Sequence, residues 1–297
     1  MYNVMRLSAK DGFYMKYKLI AIDMDGTLLT DRKSISKENI DALSRASQKG
    51  LEIVVATGRS YSTLKPYLKF FPFDTYLITN NGAIIRNKEH SIIQSYELEN
   101  SVSLRIIELL RRFSVYFHCS DKEFTYIDNY RARFIETKRF ISQETKNPFR
   151  LYPKVLTKTF LSKEIKSLKK DLALHENRQI NAFFIMGQQP DVLNAIKQAL
   201  EEIPSIGMTS SSKDNIEILH ENASKGNALS IVGEKLKISL NEMVAIGDQL
   251  NDLSMIKSVG AGVAMGNADQ AVLKEAKFKT KTNEENGVAS FINELLD

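Results

Sequence analysis

The sequence predicts an α/β fold, a doubly wound parallel sheet interrupted by an inserted α+β domain. Three observations predict it. Short apolar, β-prone runs alternate with amphipathic helical stretches in the first ninety residues and again in the last eighty. That order gives a parallel sheet with helical crossovers. In the middle the rhythm changes to closely spaced strands and helices, and several of the outer strands end in a carboxylate or a hydroxyl.

The elements follow in order. Residues 1–14 show no clear periodicity and read as an N-terminal extension, with Met15 a second plausible start. Residues 17–23 (YKLIAID) form a buried parallel strand. Ser36 caps a helix that turns Ile40, Leu43 and Ala46 to one face, and Gly50 ends it. Residues 51–56 (LEIVVA) are a second buried strand, and 75–79 (TYLIT) a third after another helix. The first part of the core is placed at 15–92. An inserted α+β domain is placed at 93–213. It has a helix at 102–112, an antiparallel pair from VYFHCS and EFTYID, a strand in QINAFFIM (179–186) and a helix at 191–200. The core resumes over 214–297 with the strand NIEIL (215–219), a helix after Ser224 and the strand MVAI (243–246).

Composition narrows the classes of function. The chain has 297 residues, the length of two domains or one large one, and 43% of them are hydrophobic, enough for a sizeable core. Charges are interspersed, as in a globular protein. A single cysteine, Cys119, excludes an intrachain disulfide and fits a reducing, cytoplasmic setting. No apolar run approaches the ~20 residues that span a bilayer, so no membrane role is expected. The net charge of +5 lies within residues 93–213, where 19 basic residues face 14 acidic ones; the remainder has 22 of each. The excess is either a solvated basic surface or an attraction for anionic ligands. Nucleic acid is not expected as a partner, since no basic stripe interleaves with aromatics. No obligate protein partner is evident.

Four short motifs carry chemistry. In DMDGT, Asp23 and Asp25 stand two positions apart at the end of a buried strand, where open α/β sheets bind ligands. Clustered carboxylates repel one another and favour a bound cation, and an oxygen-only site suits magnesium. One carboxylate can attack phosphorus while the other handles the leaving-group proton. The alternative reading is a turn or helix cap. Thr57-Gly58-Arg59, after the second strand, offers a hydroxyl and backbone N–H groups at a helix start, a seat for phosphate or a plain N-cap. Lys225 in NASKGNAL is near another helix start and is either a phosphate ligand or a solvated lysine. GDQLND places Asp248, Asn251 and Asp252 after the strand MVAI, as a cation site or an Asx-type cap. A parallel sheet brings the strand ends to one edge, and the set then holds what phosphoryl transfer requires: a nucleophile, an acid/base, a metal cage and phosphate ligands.

DMDGTLL, ATGR, SKG and GDQLND, in this order, resemble the four motifs of the haloacid dehalogenase (HAD) superfamily, in its Cof-type, type IIB branch of sugar and small-metabolite phosphatases. ITNNGA (78–83) and AGVAMGNA (261–268) resemble stretches of the same branch. The likeness runs from Met15 to the C-terminus. It implies a Rossmann-like core with an α+β cap inserted between the Thr57 and Lys225 motifs, where it closes over the site and selects the leaving group. It also implies an aspartyl-phosphate formed on Asp23, with Asp25 as acid and then base. Mg2+ would be held by the Asp23 carboxylate, the Asp25 carbonyl and Asp248, with Asp252 behind. Thr57, Gly58, Lys225, Asn251 and the Met24 N–H would bind the phosphoryl group. The implied substrate is a small anionic phosphate ester. A phosphosugar mutase with the same nucleophile and a non-catalytic phosphometabolite-binding regulator are the alternatives. His118, Arg131 and Arg133 are conceivable contacts in the insertion, though a surface position is the simpler reading of each.

Overall fold

The computed structural model describes residues 16–113, 115–144, 147–161, 163–171 and 179–297. The N-terminal extension and Met15 lie outside them. The chain divides into two compact units. One comprises the chain up to Ser95 with Asn222–Asp297, and the other is Tyr96–Glu221.

The first unit is built on β1 (Leu19–Ile22), whose four residues are all buried. A strand that is apolar on both faces needs a neighbour on each side and cover above and below. β1 pairs in parallel with β2 (Glu52–Ala56) on one side and with β12 (Met243–Gly247) on the other. The full order is β14-β13-β12-β1-β2-β3-β4-β5. It takes in β3 (Tyr76–Thr79), β4 (Ile84–Arg86), β5 (Ile92–Ser95), β13 (Ala261–Ala264) and β14 (Phe278–Lys279). β14 to β3 are parallel; β4 and β5 close the sheet antiparallel. The Lys37–Gln48 helix starts on Ser36, whose hydroxyl accepts from Asn39 N, and buries Ala42, Leu43 and Ala46. It packs on the Gly287–Leu296 helix, which buries Phe291, Ile292 and Leu295 in the same core.

Because β1, β2, β3 and β12 are parallel, their C-terminal ends share one edge. Asp23, Thr57, Asn80 and Asp248 each immediately follow one of these strands. The backbone locks the edge: Asp23 N donates to Ile246 O and Thr57 N to Ile78 O.

The second unit is a six-stranded sheet in the order β10-β11-β9-β6-β7-β8. Its strands are β6 (Tyr116–Ser120), β7 (Thr125–Ile127), β8 (Ile165–Ser167), β9 (Ala182–Met186), β10 (Ile206–Thr209) and β11 (Asn215–His220). All pairs are antiparallel except β7 with β8. Alternate residues Phe117 and Cys119, Phe183 and Ile185, and Ile216 and Ile218 form one core with the helices Asn100–Phe113 and Pro190–Glu201.

Two expectations are corrected. NIEIL does not resume the parallel core; it is β11, antiparallel between β9 and β10. A strand interior to its sheet is buried like a parallel core strand, so its apolar run does not reveal its partner. The core sheet is also not wholly parallel. The β4–β5 hairpin at its edge is made of short runs whose turn, Asn87 to Ser91, closes with His90 in the left-handed region.

Ile20, fully buried in β1, tests the dependence of the first unit on its central strand. Ile20→Ala is expected to cost about 2–5 kcal/mol, read as a lower urea midpoint for that unit.

Candidate active site

The DMDGT loop turns sharply at Gly26, whose φ is +82. This is the left-handed region, and the space fails too: a Cβ there would come within 2.3 Å of Asp248 Oδ2. The loop therefore lies directly against the fourth motif. Thr27 Oγ1 donates to Asp248 Oδ1 at 2.9 Å, and Asn267 Nδ2 donates to Gly26 O at 2.8 Å. Leu29 N returns to Met24 O at 2.8 Å, which seals the turn around the buried Met24.

Asp23, Asp248 and Asp252 are all buried, and each offers a carboxylate oxygen within 4.8 Å of the others. Lys225, fully buried, sits among them. Its Nζ bonds Asp23 Oδ1 and Asp252 Oδ1, each at 2.6 Å. Burial alone would discharge this lysine, but the Asp23 and Asp252 charges outweigh it and raise its pKa. The carboxylates are less well served. Burial, aided by Asp252 and Asp248, pushes Asp23 well above the usual range against the pull of Lys225. Burial and then Asp252 push Asp248 up to about 7. Three buried carboxylates with one ammonium leave negative charge uncompensated, and this oxygen-rich donor set fits a hard divalent cation. Asp252 is the least available as a direct ligand. Lys225 holds its Oδ1, and its Oδ2 accepts from Asp248 N at 2.9 Å and Gln249 N at 3.0 Å.

Asp25 has the opposite surroundings. Burial raises its pKa, yet the Arg59 and Lys33 cations overcome that and bring it to about 2. Its side chain is 40% exposed, whereas that of Asp23 is 6% exposed.

Thr57 is buried after β2, and its Oγ1 accepts from Arg59 N at 3.2 Å. Gly58 lies half-buried between them. Asn251 is buried and donates through Nδ2 to Asn81 Oδ1 at 3.0 Å. Thus Asp23, Lys225, Asp248 and Asp252 form one hydrogen-bonded cluster, and Asp25 is turned toward other charges. In the second unit His118 and Arg133 meet through Tyr116. Arg133 Nη1 donates to the Tyr116 hydroxyl at 3.0 Å, which lies 3.0 Å from His118 Nδ1. Burial and then Arg133 push His118 down to about 3, so it is neutral. Arg131 is exposed.

Sequence reasoning missed Thr27, Lys33, Asn81 and the side chain of Arg59. Thr27 and Arg59 stand inside motifs whose neighbours drew attention. Lys33 and Asn81 adopt φ of +60 and +52, and only the double Asn before Gly82 gave a turn signal for one of them.

A family model described as haloacid dehalogenase-like hydrolase matches residues 20–292. Phosphatase YwpJ of Bacillus subtilis (strain 168) is 31% identical over 284 residues, which cover 94% of this chain and 100% of the relative. The 5-amino-6-(5-phospho-D-ribitylamino)uracil phosphatase YcsE of the same organism is 32% identical over 275 residues, 93% of this chain and 94% of the relative. The solved structure of a haloacid dehalogenase-like hydrolase from B. subtilis superposes with a TM-score of 0.79 at 29% identity, covering 93% of this chain and 99% of that one.

The charge imbalance has a pH signature. The Asp248 carboxyl, raised from 3.8 to about 7 by folding, favours the folded state most when protonated. That contribution is complete below about pH 4 and lost as the pH rises through about 7. Asp25, lowered to about 2, is constant over the same window. Urea unfolding in EDTA is expected to show falling stability from about pH 4 to pH 7, and added magnesium is expected to recover it at neutral pH.

Proposed function

The chain belongs to the haloacid dehalogenase-like hydrolases and is a phosphoric monoester hydrolase, and from that premise we propose that it hydrolyses small phosphorylated metabolites with Mg2+ through an aspartyl-phosphate on Asp23. The observation that carries the reading is the Lys225 ammonium bonded to Asp23 Oδ1 at 2.6 Å. It fixes one oxygen of a buried carboxylate. Oδ2 accepts no hydrogen bond among the described residues and is the oxygen left to attack.

Asp23 Oδ2 bonds to phosphorus as the ester P–O bond breaks, and Asp25, which Arg59 and Lys33 hold ionised at rest and which first takes up a proton from solvent, passes that proton to the departing oxygen. Water then attacks the phosphorus of the aspartyl-phosphate. Asp25 accepts the water proton, and Asp23 leaves as a carboxylate. Lys225 stays charged throughout and balances negative charge on Asp23 and on the phosphoryl oxygens. Thr57, Gly58 and Asn251, with the Met24 N–H, bind the phosphoryl group. The Asp23 and Asp248 carboxylates and the Asp25 carbonyl would hold the cation, with Asp252 orienting this set and Lys225 through its own bonds. When bound, the cation neutralises the carboxylates and draws charge from the phosphoryl oxygens.

The substrate class rests on the relatives. One is named for 5-amino-6-(5-phospho-D-ribitylamino)uracil, a small molecule whose ribityl chain carries the phosphate, and the proposal extends small phosphorylated metabolites of this kind to this chain.

A phosphate-release screen over sugar phosphates, nucleotides, flavin phosphate and pyridoxal phosphate tests this reading. Asp23→Asn is expected to lower turnover by about 10^3-fold or more with the fold intact, and EDTA to stop release. Near-normal turnover in Asp23→Asn would remove the assigned nucleophile. Dependence on a bisphosphate activator without net phosphate release would turn the reading to a mutase.

A further inference from the structure

Asp25 shares a pentapeptide with Asp23, yet its carboxylate is committed elsewhere. Oδ1 accepts from Lys33 Nζ at 2.7 Å and from Arg59 Nη2 at 2.8 Å. Among the described residues Oδ2 accepts from Arg59 Nε alone, at 2.5 Å. The two cations come from different elements. Lys33 is presented by a tight turn in which Lys33 N bonds Thr30 O and Thr30 N bonds Ser34 O. Arg59 follows the Thr57-Gly58 pair and lies 4.9 Å from the ring centroid of Tyr67. Tyr67 belongs to the Tyr61–Leu68 helix, and its hydroxyl donates to Lys33 O at 3.3 Å. Tyr67 therefore ties together both cations that grip Asp25.

We infer that Arg59 is the positioning residue of the acid–base step. It holds Asp25 through Oδ1 and releases Oδ2 when the leaving oxygen is protonated. This rests on the phosphatase mechanism proposed above. A carboxyl group carries its transferable proton on one oxygen. Oδ1 has two charged donors aimed at it, and a proton there would displace both. Oδ2 has one donor, and withdrawal of Nε alone frees it. The proton enters on Oδ2 as Nε withdraws, from solvent in the first turnover and from the attacking water thereafter; in the first half-reaction that Oδ2–H bond breaks as the O–H bond of the leaving alcohol forms, and Nε–H bonds again to the carboxylate. In the second half-reaction the proton of the attacking water passes to Oδ2, and Nε withdraws. The planar guanidinium suits this role because its fork fixes the carboxylate plane through two separate donors. A lysine in its place offers a point charge and no fork. A bridge that only tied the loop to the helix would not need both oxygens of the residue whose direction governs proton transfer.

The test compares two esters of matched shape, p-nitrophenyl phosphate and phenyl phosphate, with the full chain in magnesium. The nitrophenolate departs without a proton, whereas phenol needs one far more. kcat/KM reports the steps up to ester cleavage, so hydrolysis of the intermediate does not mask the effect. Arg59→Met is expected to lose roughly tenfold more kcat/KM on phenyl phosphate than on p-nitrophenyl phosphate. Arg59→Lys is expected to recover part of that difference. If the methionine variant does not fold, the lysine variant carries the comparison, with a differential of about threefold or more expected. Equal losses on the two esters, or no loss on either, overturn the inference. Wild-type turnover separates the two levels. A wild type active on both esters whose variants show no differential rejects the role of Arg59 alone. A wild type inactive on both and throughout the metabolite screen rejects the phosphatase mechanism and the inference with it.

Discussion

Everything at the site depends on one buried ammonium, Lys225, bonded at 2.6 Å to both Asp23 and Asp252. Its position is electrostatically unusual. Lys225 is the first residue of its helix, where the helix dipole disfavours a cation. The carboxylates, not the helix, hold it there. Ser224 satisfies the helix end separately, its hydroxyl accepting from Asn227 N. A fully buried lysine needs paired negative charge, and a cluster of buried carboxylates needs positive charge. The two requirements meet only partly, since three carboxylates share one lysine. The remaining imbalance makes the cluster a place for a divalent cation and, by the proposed mechanism, for a phosphoryl group.

The fold delivers these charges from far apart in the chain. Asp23 follows β1, Asp248 follows β12, and the two strands are neighbours in parallel register. Gly26 lets the first loop touch Asp248, and Thr27 bonds to it. Asn283 Nδ2 holds Leu29 O at 3.0 Å, and Asn267 holds Gly26 O, so the chain beyond β13 braces the loop as well. Within DMDGT two carboxylates thereby acquire opposite tendencies. Asp23 is pushed up by burial and acidic neighbours, and Asp25 is brought down by Arg59 and Lys33 despite burial. The proposed roles run against these tendencies, so the mechanism requires a bound cation to keep Asp23 ionised and a proton placed on Asp25 before it acts as an acid.

Much of this was legible in the sequence, for identifiable reasons. β1, β2, β3 and β12 were legible because a strand buried on both faces is a short apolar run with few alternatives. The Ser36 cap and the helix after Ser224 were legible because helix-start signals are local in sequence. The hydrogen-bonded cluster involves residues from three of the four motifs, which a parallel sheet gathers at one edge. What escaped was the pairing of side chains distant in sequence. Nothing near Lys33 or Arg59 indicates that both end on Asp25, because a turn in the left-handed region and a ring on a later helix aim them. β11 escaped because its composition satisfies either sheet, and only its partners, β9 and β10, decide between them.

The central claim is that Asp23, held by Lys225 at one oxygen, is phosphorylated at the other. The most direct measurement is acid quenching of the chain during turnover of 32P-labelled p-nitrophenyl phosphate with magnesium, followed by mapping of the labelled peptide. The account predicts acid-stable label on the peptide that contains Asp23, absent in Asp23→Asn. Phosphate release with no label on the protein, or label on a different peptide, would contradict it.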